Sequence, residues 1–291
     1  MYAGASAMSE GIIDAKGLVK EFGELRAVDG LDLSVKKGEI YAFLGPNGAG
    51  KTTTIRMLTT MDLPDEGRIV IDGYDTSADF IEARRHIGVI QQHHGLEMEI
   101  TVKENMTYHG LMQGLSKKEI RARMGELCSI MGLEDKMDMI VKNLSGGWKK
   151  RVTIVCSLIH DPDILFIDEP TTGLDTQSRN LLWKMIRSIN RRGTTIFLTT
   201  HYIFEAEQLA DRVGIIISGK MVAEGAVDEL LSRLDPIALV ATDRNGDDEV
   251  SFHKDKSAAK ERAADYGEDY NISIRSTNLE DVFIDITGRR F

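Results

Sequence analysis

The sequence predicts an α/β fold with a parallel sheet at its centre. Short apolar runs of strand length alternate with glycine-rich turns through the first hundred residues, and the alternation resumes after residue 162. A helical pattern over residues 176–192 separates two of the later runs, as the crossover between parallel strands requires. One glycine-rich turn, at residues 45–52, joins a strand to a helix in the pattern of a phosphate-binding loop, which belongs to this fold class.

The individual elements follow from the spacing of apolar residues. Apolar runs predict strands at residues 12–19, 31–35, 40–44, 69–71, 87–90, 163–167, 194–198 and 213–217. Between the two groups, about 50 residues form a predicted helical insert that begins at Thr101 and extends to Lys142. Thr101 with Glu104, and Ser116 with Glu119, fit the capping box, in which side chain and backbone satisfy each other's free groups.

The pattern changes again near residue 234, which predicts a small C-terminal α/β unit over residues 234–291. Strands are expected at residues 237–242, 250–252 and 272–274, with helices at 256–266 and 279–286. Residues 12–233 would then form the main domain, with the helical part at about 101–160. Residues 1–11 are small and polar, and we expect a disordered lead-in there.

Composition narrows the possible functions. The chain has 291 residues, of which 42% are hydrophobic and 28% charged, as in ordinary globular proteins that are soluble in water. No run approaches the roughly 20 apolar residues of a membrane-spanning helix, so a membrane process would need another chain. The N-terminus lacks the basic and apolar regions of a secretory signal, which predicts a cytoplasmic protein. A net charge of −10 argues against non-specific binding of nucleic acid.

Two cysteines, Cys128 and Cys156, are too few for a disulfide framework in a chain of this length. Both lie within apolar helical patterns, which predicts buried free thiols. The adjacent pair His93-His94 has no third ligand at useful spacing, so we expect a loop there rather than a metal site.

Residues 45–52 carry the strongest chemical signal. Glycines at this spacing let backbone N–H groups converge on phosphates, and the helix N-terminus adds its positive dipole end. Lys51 would bring a full positive charge to the β and γ phosphates, and the Thr52 hydroxyl would ligate Mg²⁺. The sequence therefore predicts that ATP and Mg²⁺ bind here, with the nucleotide held by Gly45, Pro46, Asn47, Gly48, Ala49, Gly50, Lys51, Thr52 and Thr53.

A second acidic element complements this loop. The apolar run at residues 164–167 ends in Asp168 and Glu169, at the carboxyl edge of the predicted sheet. Asp168 at this place suits a second contact to Mg²⁺ through water. Glu169 could polarise a water for attack on the γ-phosphate.

The motif Asn143-Leu-Ser145-Gly146-Gly147, shortly before those two acids, resembles the signature loop of ATP-binding-cassette ATPases. The family's other elements follow in order over about residues 12–231. This resemblance implies a P-loop cassette with a RecA-like core, an N-terminal antiparallel β subdomain, a helical signature subdomain and, here, a small C-terminal α/β appendage. It also implies ATP hydrolysis.

The resemblance assigns roles residue by residue. Phe22 stands where the family has an aromatic ring that stacks on adenine. Gln92 stands where the family has a glutamine that contacts the metal, senses the γ-phosphate and faces the membrane partner. Gln91 is an alternative residue for that role. Asp175, in Gly173-Leu-Asp175, resembles the loop that joins two subunits, and His201 stands at the switch histidine. Catalysis would thus depend on Glu169, His201 and Lys51, with Ser145, Gly146 and Gly147 contacting the nucleotide of a second copy.

The same resemblance implies partners. ATP would be held between two copies of the chain, and a separate membrane permease would receive the motion at the cytoplasmic face of the membrane. Stretches such as Ala27-Val-Asp-Gly30 and Leu279-Glu-Asp-Val-Phe283 are most similar to drug- and antibiotic-resistance exporters. In similar proteins the segment that corresponds to residues 279–286 contacts the partner subunit. An equally open alternative is that this segment only covers the core. Trp148 departs from the family, which usually has a polar residue or Met there. Alternatives are a soluble cassette ATPase in cofactor assembly or nucleic-acid work, and a phosphotransferase.

Overall fold

The computed structural model describes residues 11–90, 95–267 and 269–288. Residues 1–10 of the predicted lead-in, the predicted glutamine Gln92 with its rival Gln91, and the pair His93-His94 lie outside the described residues. No helix among the described residues is long and apolar enough to cross a membrane.

The described chain contains strands and helices in an order close to the predicted one. The strands are β1 (Ile13–Phe22), β2 (Leu25–Val35), β3 (Ile40–Leu44), β4 (Glu66–Ile71), β5 (Tyr74–Asp75), β6 (Ile87–Ile90), β7 (Ile164–Asp168), β8 (Thr195–Thr200), β9 (Arg212–Ile217), β10 (Lys220–Ala226), β11 (Ile237–Thr242), β12 (Asp248–His253) and β13 (Asn271–Ser276). The helices are α1 (Lys51–Leu58), α2 (Phe80–Arg85), α3 (Val102–Met112), α4 (Lys117–Met131), α5 (Gly146–Leu158), α6 (Thr176–Asn190), α7 (Ile203–Leu209), α8 (Val227–Leu231), α9 (Lys256–Ala263) and α10 (Leu279–Thr287).

A six-stranded sheet forms the centre of the molecule, with strand order β10-β9-β3-β8-β7-β6. Its strands β9, β3, β8, β7 and β6 are parallel, and β10 is antiparallel to β9. Strands β3, β7 and β8 are buried along their whole length, as expected of strands covered on both faces. The carboxyl ends of β3, β7 and β8 therefore meet at one edge, where α1 and the loop after β7 also begin.

A second sheet of four antiparallel strands, in the order β2-β1-β4-β5, lies in the N-terminal part of the chain. Its inward side chains share one apolar cluster with residues of the central sheet, among them Tyr41, Phe43 and Phe197. The rings of Tyr41 and Phe197 stack with centroids 5.5 Å apart. The predicted antiparallel β subdomain is thus present and packed against the core.

The helical insert consists of α3, α4 and the start of α5. Both predicted capping boxes are formed: the Thr101 hydroxyl accepts from the Glu104 amide and the Ser116 hydroxyl from the Glu119 amide, with each glutamate bonding back. Met106, Leu127 and Ile159 pack in the apolar cluster that joins this insert to the central sheet.

Cys128 in α4 and Cys156 in α5 are buried and free, as the sequence predicted. Burial raises the pKa of the Cys128 thiol to about 11. Burial also raises the pKa of Cys156, so neither thiol is ionised near neutral pH.

The C-terminal part forms a separate three-stranded antiparallel sheet, in the order β12-β11-β13, with α9 beside it. Helix α10 packs against α7 and α8, and its buried residues Leu279, Val282 and Phe283 join the main apolar cluster. The Leu279 amide donates to the Glu207 carboxylate at 3.1 Å. The last helix therefore attaches the C-terminal sheet to the cassette, while the division of the chain at residue 233 stays a prediction.

Several predicted bounds need correction. Strand β2 begins at Leu25 rather than residue 31, because its first residues pair with β1 although they are polar or exposed. Helix α9 ends at Ala263, not at Tyr266. The short elements β5, α2, α7, α8 and β10 were not predicted.

Candidate functional site

The phosphate-loop residues connect β3 to α1, as the sequence predicted. Gly45 must be glycine, because a Cβ there would lie 2.3 Å from the Ile216 carbonyl oxygen. Gly50 has a φ of 105°, and a Cβ there would lie 2.4 Å from the Ala27 carbonyl oxygen. Since Gly50 is the N-cap and has no side chain, the first amides of α1 remain for an external acceptor.

Lys51 is the first residue of α1 and only 5% exposed. Its ammonium donates to the carbonyl oxygens of Gly45 at 2.8 Å and Pro46 at 3.0 Å, so the side chain folds back across its own loop. Burial lowers the pKa of Lys51, and the charges of Glu169 and Asp168 oppose that shift.

Asp168 is the last residue of β7 and lies opposite the start of α1. Its carboxylate accepts from the Thr52 hydroxyl at 3.2 Å and from the Thr199 hydroxyl at 2.5 Å. Thr52 and Asp168 are separated by 116 residues in the chain. The fold thus brings a hydroxyl and a carboxylate oxygen to one point beside the phosphate loop, a donor set that suits Mg²⁺.

Glu169 follows Asp168 in a left-handed backbone conformation, with φ at 45°. Such a conformation is unfavourable for a residue with a side chain by about 1–3 kcal/mol, and it persists only where the surroundings fix it. Here the Glu169 amide donates to the Thr199 hydroxyl and carbonyl oxygens at 3.1 and 3.2 Å. The strained turn directs the Glu169 carboxylate into the site.

The Glu169 carboxylate lies between two nitrogen groups. Its Oε1 is 3.5 Å from the Lys51 ammonium and 3.2 Å from His201 Nδ1, although that nitrogen is not aligned for a hydrogen bond. Its Oε2 accepts from the Thr172 hydroxyl at 3.2 Å. Burial acts to raise the pKa of Glu169, but contact with His201, then the charge of Lys51 and the Thr172 hydroxyl, lower it below its usual value. The carboxylate is therefore ionised at neutral pH and able to accept a proton.

An open cavity of about 470 Å³ lies above the phosphate loop. Phe22, half exposed at the end of β1, forms one wall with Leu25 and Ala27. The other walls come from the predicted nucleotide contacts together with the catalytic candidate, namely Asn47, Gly48, Gly50, Lys51, Thr52, Thr53 and Glu169. An aromatic ring at one end and the amides of the loop with the Lys51 ammonium at the other match a base joined to phosphates.

Ser145 occupies the N-cap position of α5, but its side chain makes no cap hydrogen bond. Gly146 and Gly147 form the first turn of α5, whose amides lack intrahelical acceptors. The Trp148 ring beside them packs under the Arg151 guanidinium, 4.3 Å from the ring centroid. The hydroxyl of Ser145 is therefore left for another partner.

Ser145, Gly147 and Trp148 line a cavity of about 210 Å³ together with residues of α6. Its lining residues have none in common with those described for the cavity above the phosphate loop. The signature residues and the phosphate loop of one chain thus line different cavities.

Asp175 caps α6: its carboxylate accepts from the Ser178 amide at 2.8 Å and the Ser178 hydroxyl at 3.0 Å. This is a structural role within the chain. Its contact with nucleotide stays a prediction.

The structure brings together Lys51, Thr52, Asp168, Glu169 and His201 in one cluster, as predicted. Sequence reasoning missed Thr199, which anchors both acids, and Thr172, which holds Glu169. The available signal for Thr199 was its place at the end of a strand beside β7, since neighbouring parallel strands end at the same edge. Glu205 lines one cavity with Glu169 and His201, and the sequence did not indicate this position.

A phosphate loop, a strand-end acid pair and a separate serine–glycine helix start on a six-stranded α/β core define an ATPase of the ATP-binding-cassette class. The comparisons agree. The sequence profile described as "ABC transporter" matches residues 28–172, and a shorter match to an AAA domain, described as "putative AbiEii toxin, Type IV TA system", overlaps it at residues 142–205. The chain belongs to the ATP-binding subunits of ABC transporters, and it is an ATPase.

Two curated relatives show the closeness of this relationship. The daunorubicin/doxorubicin resistance ATP-binding protein DrrA of Streptomyces peucetius is 46% identical over 222 residues, which cover 76% of this chain and 67% of that protein. The Nod factor export ATP-binding protein I of Ralstonia nicotianae is 39% identical over 304 residues, which cover 96% of this chain and 94% of that protein.

Solved structures agree on the fold. The cbiO1 protein of Clostridium perfringens, part of the ABC transporter complex cbiONQ, aligns with a TM-score of 0.71 at 28% identity, over 77% of this chain and 91% of that one. The ATP-binding cassette MJ0796, in a dimeric post-hydrolysis state bound to ADP and Pi, aligns with a TM-score of 0.66 at 28% identity, over 74% of this chain and 98% of that one.

Proposed function

We propose that two copies of this chain bind ATP between them and that hydrolysis drives a separate membrane permease of an export system. The observation that carries the proposal is the contact between two distant dipeptides, residues 51–52 and residues 168–169. The Thr52 hydroxyl lies 3.2 Å from the Asp168 carboxylate, and the Lys51 ammonium lies 3.5 Å from the Glu169 carboxylate, although more than 100 residues separate the dipeptides in the chain. Such convergence supports chemistry at a bound phosphate rather than a structural turn.

The nucleotide would lie in the cavity above the phosphate loop. Phe22 offers an exposed ring on which the adenine stacks. The amides at the start of α1 and the Lys51 ammonium bind the phosphates, because both present positive charge to an anion. The remaining loop residues, from Gly45 to Thr53, fix the backbone around them.

Magnesium is the cation that this site would use. The Thr52 hydroxyl and the Asp168 carboxylate offer oxygen ligands side by side, with Gln92 as the third predicted ligand outside the described residues. When bound, the ion neutralises charge on the β and γ phosphates.

Glu169 is the residue proposed to act as general base. Its carboxylate is ionised, fixed by Thr172 and close to the phosphate-binding ammonium, so it can take a proton from a water that attacks the γ-phosphate. His201, at 3.2 Å from the same carboxylate, would hold the attacked phosphate and Glu169 in position.

The second half of each site would come from the other copy. Ser145 has an uncapped hydroxyl, and the amides of Gly146 and Gly147 point along the helix axis from a positive dipole end. These groups suit the γ-phosphate of a nucleotide bound to the partner, with Asp175 and its loop between the copies. The dimeric ADP-bound cassette MJ0796 supports this arrangement.

Export is supported by the names of two relatives, a drug-resistance protein and a Nod factor export protein. The chain would act at the cytoplasmic face of the membrane. The permease would be a separate chain. The attached helix α10 is a candidate contact for it, since equivalent segments of similar proteins are expected to touch the partner.

The test replaces Glu169 with glutamine. Glu169→Gln removes the proton acceptor but keeps the shape, so we expect ATP binding near the wild-type affinity and hydrolysis at least about a hundredfold slower. The variant should accumulate as a dimer with ATP on gel filtration, because the bridging γ-phosphate is not removed. Glu261→Gln, an exposed carboxylate on α9, is the matched control and should hydrolyse ATP normally. Turnover by Glu169→Gln near the wild-type rate would refute the assignment of the base.

A further inference from the structure

Glu205 in α7 is a buried carboxyl group that the proposed mechanism does not use. It is 0% exposed, and an isolated carboxylate without partners is costly to bury. It follows His201 by four residues, and both residues line one cavity. The burial of this carboxyl group therefore needs a physical explanation.

One carboxyl oxygen has a firm partner. The Trp183 indole N–H donates to Glu205 Oε1 at 2.9 Å, in a contact that is buried on both sides. Trp183 lies two turns into α6, the helix that Asp175 caps, and its ring packs on Phe204 with centroids 5.7 Å apart. Glu205 thus joins α7 to the helix that follows the Asp175 loop.

The other carboxyl oxygen has no direct partner among the described residues. Oε2 is buried and unpaired, and the hydroxyls of Thr171 and Thr200 lie close enough to affect the carboxyl group without forming aligned hydrogen bonds. Thr171 is two residues after Glu169, and Thr200 directly precedes His201. Each threonine is therefore part of a segment that holds a catalytic candidate.

These groups line one cavity of about 190 Å³, which Glu169 and His201 also line. Arg179 lines it as well, and its buried Nε is likewise unpaired. The charge of Arg179 acts to lower the pKa of Glu205, and the charge of Glu205 acts to raise the pKa of Lys150. Among the described residues, neither cation forms an ion pair with Glu205. Among the described residues, the carboxyl group therefore has one hydrogen bond, from Trp183, and it shares its cavity with Thr171 and Thr200.

We propose that Glu205 is a positioning residue: its carboxyl group holds the Glu169 segment, the His201 segment and helix α6 in the arrangement that hydrolysis needs. The inference rests on the proposed function and names a further residue for the same reaction. Burial raises the pKa of Glu205, while Trp183 and the two threonines oppose the shift. Glu205 itself does not touch the reacting phosphate.

The experiment compares two replacements of Glu205 in the full-length chain. Glu205→Ala removes the carboxyl group. We expect kcat for ATP hydrolysis to fall about ten- to hundredfold, with the KM for ATP within about twofold of wild type. Glu205→Gln keeps an acceptor for Trp183 and a donor for a threonine, so its kcat should stay within about threefold of wild type. Trp183→Phe keeps the ring but removes the N–H, and its kcat should lie between the two.

Gln208→Ala, an exposed change on the same helix, is the matched control and should keep the wild-type kcat. Circular dichroism and thermal unfolding of each variant separate positioning from loss of the fold. If Glu205→Ala does not fold, the comparison of Glu205→Gln with Trp183→Phe decides: an active Gln variant and a slower Phe variant support the inference.

Three results would overturn the inference: a Glu205→Ala enzyme with unchanged kcat, a loss that appears in KM alone, or equal losses in Glu205→Ala and Glu205→Gln. Equal losses would mean that the charge matters and not the hydrogen bonds. None of these outcomes affects the Glu169→Gln test, so the proposed function stands or fails separately.

Discussion

At the scale of single residues, Lys51 supplies the positive charge that is predicted to bind phosphate. Its ammonium is buried and, among the described residues, donates to the Gly45 and Pro46 carbonyl oxygens, with Glu169 at 3.5 Å. An incoming phosphate would replace these neutral acceptors with charged ones, which form stronger hydrogen bonds.

We therefore predict that Lys51→Ala binds ATP about ten- to hundredfold more weakly, the equivalent of one charge-assisted hydrogen bond of about 1.5–3 kcal/mol. Titration calorimetry with ATP measures the change, and circular dichroism checks that the fold is kept. Lys118→Ala, an exposed lysine on α4, serves as the control and should bind normally. Unchanged affinity in Lys51→Ala would contradict the assignment of this loop to phosphate.

The residues of the site were predictable to different degrees for a physical reason. Lys51, Thr52, Asp168 and Glu169 lie in short motifs whose chemistry is local, so spacing alone identified them. Thr199 could not be identified in this way, because its role depends on β8 pairing with β7 in parallel. Ordinary hydroxyl residues acquire such roles only through tertiary contacts.

At the scale of elements, the sequence predicted best those with a strong period or a cap. Strands β3, β6 and β11 have the expected bounds, and α3 and α4 begin at their capping boxes. Short elements such as β5 and α2 have too few residues for a period to be visible, and tertiary packing forms them. The start of β2 was missed because its first residues are exposed and only pairing with β1 makes them a strand.

Helix α10 offers a prediction at this scale, because one ion pair holds its first turn. The Arg275 guanidinium donates to both Asp281 oxygens at 2.6 and 2.7 Å, and the Asp281 side chain is almost fully buried. Asp281 also accepts from the Asn278 amide in a capping box. Removal of the guanidinium would leave a buried carboxylate with too few partners.

We predict that Arg275→Ala lowers the free energy of unfolding of the C-terminal part by about 1.5–3 kcal/mol, the range for hydrogen bonds to charged groups. Arg244→Ala, which breaks an exposed ion pair with Asp269 in the same part of the chain, should cost less than about 1 kcal/mol. Urea unfolding of the two variants measures the difference. Equal losses would mean that the Arg275–Asp281 pair stabilises no more than a surface contact.

At the scale of the whole molecule, the phosphate loop and the signature residues line separate cavities of one chain. In the proposed function, a single copy presents two half-sites, each of which lacks what the other offers. A symmetric pair of copies would combine the phosphate loop of one with Ser145 and Gly147 of the other, twice. This arrangement makes ATP part of the interface, so that the loss of the γ-phosphate weakens the pair.

The arrangement predicts that two inactive variants restore each other. Lys51→Ala lacks the phosphate contact and Gly147→Asp places a negative charge at the signature helix, so each should be inactive alone. In a mixed pair, one site contains both lesions and the other contains neither. An equal mixture should then recover up to about a quarter of wild-type hydrolysis, since half of the pairs are mixed and each has one intact site of two.

If the two groups served the same site within one chain, every site in the mixture would contain a lesion. An inactive mixture in which a tag on one variant recovers the untagged other variant would therefore contradict a site shared between copies.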